Sequence, residues 1–282
     1  MSHNKKYKMI DLKNTTFIIP VKIEHPDRYR NAKIVLNYLN SNFKTNVFIH
    51  ETTSGESRLN FIGDLKNLNI KLWQFNENMY PTSIPFHRTK YLNMMLDEVE
   101  TPVTVNYDID VILDPNNYKE CEELITSGIA DVIFPYENGN GQYMIEQSFD
   151  YFGFENSNYS IDFVNSSGGK TLAPAECGHC IFFNTDVYKK RSGENENFIS
   201  YGPEDKERMY RFQKLNHNVI WRDGYHVYHF EHHRGNDSWV TNPYFQHNWK
   251  IFDSIKLMDD VTLTEYYKTQ NYADQYKTIG NK

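Results

Sequence analysis

Between residues 15 and 135 the chain alternates short apolar runs with longer segments whose apolar residues recur at helical spacing. This alternation limits the fold more than any other feature, because it predicts a sheet with helices packed on its faces. The run "TTFIIPV" (15–21) reads as a strand. "HPDRYRNAKIVLNYLNSNF" reads as a helix, with Pro26 in its first turn and Ile34, Val35, Tyr38 and Leu39 on one face. Strands follow at "TNVFIHE" (45–51) and "IKLWQF" (70–75), a helix at 88–99, and a strand through "TPVTVNYDIDVIL". Asp114 and Pro115 have the chemistry of an N-cap and first helical residue, and Gly128 stands where a C-cap belongs. "ADVIFP" (130–135) closes this half as a further strand.

The rest is less regular. Residues 138–176 are rich in Gly, Asn and Ser and read as a long flexible surface loop. Regular structure resumes at "HCIFFNTDVY" (179–188), followed by a helix in "PEDKERMYRFQKLNH" and a strand in "NVIW". The final 40 or so residues read as aromatic and polar chain that wraps the surface. A length of 282 residues accommodates one large domain. We therefore expect a single α/β domain with a first sub-region at about 15–137, the loop at 138–176, a second sub-region at 177–255 and a tail at 256–282.

Composition excludes several classes. There are 30 Lys and Arg against 37 Asp and Glu, which argues against nucleic acid as a partner. No run approaches the roughly 20 apolar residues of a membrane span, which leaves room only for peripheral association. The first residues lack a secretory apolar region. Three cysteines (Cys121, Cys177 and Cys180) make no disulfide framework, so a reducing cytoplasm is expected. Neither a dinucleotide-binding glycine fingerprint nor a P-loop is present.

Four groups of residues carry potential chemistry. Asp108 and Asp110 end an apolar run, and paired carboxylates there suit a hard divalent cation that also holds phosphate oxygens. Solvated turn aspartates would give the same pattern. "YHVYHFEHHRG" (225–235) holds four histidines, His226, His229, His232 and His233, of which His229 and His232 have a spacing that can converge on one ion. Glu204 and Asp205 fall in the first turn of a helix behind a Gly-Pro turn, as helix-dipole partners or as a general base facing a cleft. Cys177-Gly178-His179-Cys180 lacks the second cysteine pair of a zinc site.

Taken together in order, these stretches resemble a known family. "FHRTKYLN" (86–93) followed by the strand through "DID" is similar to the F-N-R-A-K-L-L-N and D-V-D signature of the β-1,4-galactosyltransferases and chondroitin-polymerase-type enzymes, which have the GT-A fold. "FISYGPEDKERMYRFQKLNH" resembles their G-W-G-G-E-D-D segment, "HFEHHRG" their M-I-R-H-S-R, and "IIPVK" (18–22) their nucleotide-side strand. The match runs across roughly residues 15–255.

The resemblance implies a Rossmann-like mixed central sheet flanked by helices, with residues 15–137 as the nucleotide-sugar-binding half and 177–255 as the acceptor and catalytic half. It implies transfer of a galactose-type sugar, a hexose or N-acetylhexosamine, from a UDP-sugar donor to a hydroxyl of a glycan or glycoconjugate, with inversion and with Mn²⁺ (or Mg²⁺). By residue, it implies that Asp110, His232 and His229 bind the metal, with His233 the alternative to His229. Pro20, Val21, Lys22, Arg88, Asp108 and Gly178 would meet the donor, Tyr201 and Glu204 the acceptor, and Asp205 would be the catalytic base with Glu204 beside it. Two departures bear on the sugar. His179 stands where the family has the second glycine of a pair, and the tryptophan of the acceptor segment is replaced. A bacterial or viral cytoplasmic enzyme of polysaccharide biosynthesis fits best. A nucleotide-sugar hydrolase and a glycan-binding protein with a structural ion are the rival expectations.

Overall fold

The computed structural model describes residues 9–76, 86–235 and 239–270. Readings of the extreme N-terminus and of the end of the C-terminal tail lie outside the described residues. The strands are β1 (Ile10–Lys22), β2 (Phe43–Thr53), β3 (Leu68–Asn76), β4 (Val103–Tyr107), β5 (Val111–Ile112), β6 (Val132–Phe134), β7 (Gly139–Ile145), β8 (Lys170–Ala175), β9 (Cys180–Asn184), β10 (Val219–Trp221) and β11 (Val227–Phe230). The helices are α1 (Pro26–Asn42), α2 (Arg88–Asp97), α3 (Pro115–Thr126), α4 (Tyr151–Asn156), α5 (Ile161–Ser166), α6 (Thr185–Lys190), α7 (Glu204–Lys214), α8 (Phe245–Lys256) and α9 (Asp260–Thr269). None of the described helices is long and apolar enough to cross a membrane.

A seven-stranded sheet runs in the order β10-β6-β9-β4-β1-β2-β3. β1 is parallel to β2 and to β4, whereas β9 lies antiparallel between β4 and β6. Alternate residues of β1 and β2 face opposite layers. Phe17 and Phe43 pack on Tyr118 of α3, and Tyr38 of α1 packs beside Phe43. On the other face His50 stacks on Tyr91 of α2, and Phe183 of β9 meets Tyr188 of α6 and Phe212 of α7. Fully burying each such ring stabilises the fold by roughly 1.5–3 kcal/mol. The helix ends follow the sequence reading: Asp114 caps α3 by accepting from the Asn116 N–H at 2.9 Å, and Gly128 takes φ +76° just beyond it.

Three expectations are corrected. The run 105–113 is not one strand: β4 ends at Tyr107, the chain turns through 108–110, and β5 joins a second, four-stranded sheet, β5-β11-β7-β8. Hydrogen bonding drives this change. The Asp108 N–H goes to the His179 carbonyl at 2.9 Å, and the Asp110 carbonyl receives the Phe230 N–H at 2.8 Å. Second, residues 138–176 are not a bare loop but carry β7, α4, α5 and β8. Their scattered aromatics make this possible, since Phe149 and Phe154 are buried against each other and against Phe230. Third, the C-terminal region does more than wrap the surface. Phe252, Ile255, Leu263 and Tyr267 close with Phe198 into a small core of their own.

Candidate active site

The chemistry-bearing residues gather at the carboxyl ends of β1, β4 and β11, at the start of α7 and on the segment before β9. The carboxyl ends of strands are where open α/β sheets bind ligands. The turn after β4 separates the two aspartates, so each finds its own cationic or imidazole partner.

Asp108 accepts from Arg88 Nη2 at 2.7 Å, and the same nitrogen reaches Asn106 Oδ1 at 3.0 Å. Arg88 Nη1 lies 3.6 Å from Asp205 and is buried without a hydrogen-bond partner among the described residues. Burial raises the Asp108 carboxyl above its ordinary value, although Arg88 opposes the rise. The remainder of the α2 motif is structural. His87 bonds the Glu196 carbonyl at 2.9 Å, Thr89 donates to the Phe198 carbonyl, and Asn93 bonds both Glu194 and Glu196. The helix that supplies Arg88 thus also anchors the chain leading to α7.

Asp110 faces histidines. His232 Nε2 lies 3.1 Å from Asp110 Oδ2 and His229 Nε2 lies 3.6 Å from Oδ1, with one ligand atom from each residue within 4.8 Å of the others. Supporting contacts orient both rings. A carbonyl can only accept, so the 2.8 Å contact to the His233 carbonyl places the hydrogen on His232 Nδ1 and directs Nε2 at Asp110. His229 Nδ1 meets the Met144 sulfur at 3.4 Å, which leaves its Nε2 toward the same point. Burial pushes the His229 imidazole down to about 3, so it is neutral at pH 7. The Asp110 carboxyl is held low by the adjacent histidines despite its burial. One carboxylate and two imidazole nitrogens converging with no donor between His229 and Asp110 fit a divalent cation. The His233 ring instead stacks on His25 at 4.8 Å and lies outside this group.

The third centre is the start of α7. Arg208 forks onto Glu194 with two contacts of 2.6 Å and reaches Asp205 Oδ1 at 2.7 Å. Burial would raise the Asp205 carboxyl, but Arg208 and Arg88 outweigh it and hold it below its ordinary value. Glu204, buried beside it, moves the other way. Burial and the Asp205 charge push it up to about 8, and its Oε2 has no partner among the described residues. The preceding turn is tied down by Asn248 of α8, whose amide contacts the carbonyls of Ile199, Tyr201 and Gly202. Tyr201 lies half-buried within that turn.

Gly178 and His179 sit between these centres. A Cβ on Gly178 would stand 3.2 Å from Asp205 Oδ2, and the His179 ring centroid is 5.3 Å from that of His229. Pro20, Val21 and Lys22 end β1; Ile18, two residues before Pro20, is paired with Asn106, two before Asp108. Lys22 forms an ion pair with Glu24 at 2.8 Å. Sequence reasoning missed Arg208, Glu194, Asn248 and Met144, none of which has a motif of its own. For Arg208 the one signal was apolar-face spacing in α7 broken by arginines.

No protein-family model matches the chain, and no curated protein does. Solved structures do. A fragment of S. aureus TarS, residues 1–349 in complex with UDP-GlcNAc, superposes with a TM-score of 0.56 at 14% identity, over 88% of this chain and 68% of that one. GalNAc-T7 with UDP, GalNAc and Mn²⁺ gives 0.55 at 11%, over 86% of this chain and 47% of that one. The chain has the GT-A fold. The mannosyltransferase PcManGT from Pyrobaculum calidifontis, in complex with GDP-Man and Mn²⁺, also superposes, at 0.50 and 13% identity over 94% of this chain and 67% of that one.

Proposed function

We propose that the protein is a metal-dependent inverting glycosyltransferase that moves a hexose or N-acetylhexosamine from a UDP-sugar to a hydroxyl of a glycan or glycoconjugate. The observation that carries this reading is the meeting of the Asp110, His229 and His232 group with the Arg-clamped Asp205 across residues 178–179. Three structures with this fold are complexes with a nucleotide or nucleotide sugar, two of them with Mn²⁺, which supports a nucleotide-sugar donor and a divalent cation here. The likeness of the 86–113 and 198–217 segments to the β-1,4-galactosyltransferase pattern favours a galactose-type sugar and inversion.

Asp110, His229 and His232 would hold the cation, whose chemistry is Lewis-acid stabilisation of a diphosphate leaving group. Pro20, Val21, Lys22 and Asp108 line the nucleotide side. Arg88 neutralises Asp108 and Asp205, and its Nη1, which has no hydrogen-bond partner among the described residues, is a donor that the diphosphate would satisfy. Asp205, ionised at neutral pH, takes the proton of the acceptor hydroxyl as that oxygen attacks the anomeric carbon. Glu204 is protonated at pH 7 and donates to the acceptor, assisted by Tyr201. Two neighbouring carboxyls pushed apart in this way divide base from donor. Positioned proton transfer contributes about 10²–10⁴-fold.

The test is product analysis with a panel of UDP-sugars, Mn²⁺ and glycan acceptors, on wild type and Asp205→Asn. Transfer that falls at least about 100-fold in the variant, with UDP binding retained, is the expected result. Release of free sugar without need of an acceptor would replace the transferase reading with a hydrolase.

A further inference from the structure

The dipeptide Gly178-His179 bridges the two halves of the site. A side chain at 178 would meet Asp205, and the ring of residue 179 lies beside that of His229, tilted by 47°. A group passed from a metal-held diphosphate to an acceptor at Asp205 has to lie along it. The dipeptide is also unusually well fixed. The Gly178 carbonyl accepts from the buried Tyr136 hydroxyl at 2.5 Å and from the Cys180 N–H at 2.9 Å, while the His179 carbonyl accepts from the Asp108 N–H at 2.9 Å. His179 is held at φ +70°, the left-handed region that disfavours a side chain. Such strain persists where the surroundings over-determine it, and it clusters at ligand-contacting positions.

His179 is half-buried. Its ring meets Tyr136 edge-on at 6.2 Å and His229 at 5.3 Å, and it lies outside the Asp110, His229 and His232 ligand group. A ring carried on a hydrogen-bonded backbone, left out of the ligand set and set between the two centres has the placement of a reader. We propose that His179 is a donor-sugar specificity residue, whose imidazole hydrogen-bonds a ring substituent of the transferred sugar. The inference rests on the transferase reading above. It adds a residue that contacts the sugar and leaves the nucleotide alone.

The test separates the two. UDP, UDP-galactose, UDP-N-acetylgalactosamine, UDP-glucose and UDP-N-acetylglucosamine are titrated with Mn²⁺ into wild type, His179→Gly and His179→Asn. Glycine and asparagine both tolerate the backbone angle, so His179→Gly unfolds at or above the wild-type temperature. The expected result is UDP affinity within about twofold in all three proteins. The affinity gained by adding the preferred sugar should fall about tenfold in His179→Gly, the size of one hydrogen bond, and the ranking of sugars should change. An unchanged gain and ranking with UDP binding intact overturns the role of His179 alone. Absence of UDP binding in the wild type overturns the transferase reading and this inference with it.

Discussion

Replacing Arg208 with lysine probes how the fold holds its base. Arg208 is fully buried and makes three charged contacts, two of 2.6 Å to Glu194 and one of 2.7 Å to Asp205. A lysine ammonium keeps the charge but has neither the planar fork nor its reach, so two of those contacts are lost. Each buried charged contact left unmade costs about 1.5–3 kcal/mol, and breaking a buried pair typically costs about 3–5 kcal/mol. At a few degrees per kcal/mol for a chain of this size, the melting temperature should fall by roughly 10 °C. Circular dichroism on the two proteins measures it. A second consequence has a definite sign. Arg208 leads the influences that hold Asp205 below its ordinary value, so weakening it lets the carboxyl titrate at higher pH. The base works only when ionised, and its activity is lost as pH falls through that value. The acidic limb of the rate profile should therefore move to higher pH in the variant. A melting temperature within about 2 °C of wild type, or an unmoved acidic limb, would refute the reasoning.

Further outcomes follow from neighbouring residues. Glu204 has a folded value of about 8 against an ordinary 4.5, so its contribution to stability is full below 4.5 and is lost as pH rises through 8. Glu204→Gln, compared with wild type by chemical denaturation, should gain relative stability over that interval, by no more than roughly 5 kcal/mol at about 1.4 kcal/mol per unit. A pH-independent difference would contradict the assignment. Asn248→Ala strips the hydrogen bonds that hold the turn before Pro203. It should cost about 2–3 kcal/mol in denaturation and lower the transfer rate more than UDP affinity. Gly178→Ala places a methyl 3.2 Å from Asp205. Steady-state kinetics should show a lower rate with metal-dependent UDP binding preserved.

The sheet and its helices were legible because each rests on local pattern. Short apolar runs marked β1, β2 and β4, and Asp114-Pro115 with Gly128 bounded α3. What was not legible depends on partners distant in the chain. The break between Tyr107 and Val111 is set by the carbonyl of His179 and the N–H of Phe230, more than 70 and 100 residues away. Residues 138–176 looked like loop because Gly, Asn and Ser dominate there, yet Phe149 and Phe154 find a hydrophobic hub that the local pattern does not display. Arg208 and Glu194, 14 residues apart, become one ion pair only when the chain before α7 is fixed, with the Glu194 backbone tied to Asn93 of α2. Charged residues on a helix ordinarily read as a solvated face, and here burial inverts that reading.

The central claim is that Asp110, His229 and His232 hold a cation that in turn holds a nucleotide diphosphate. Calorimetric titration of UDP in the presence of Mn²⁺, then with chelator, on wild type and on Asp110→Ala tests it most directly. The expected result is UDP binding that requires the metal and disappears in the variant, with both proteins folded. UDP binding of equal strength in chelator, or in Asp110→Ala, would contradict it.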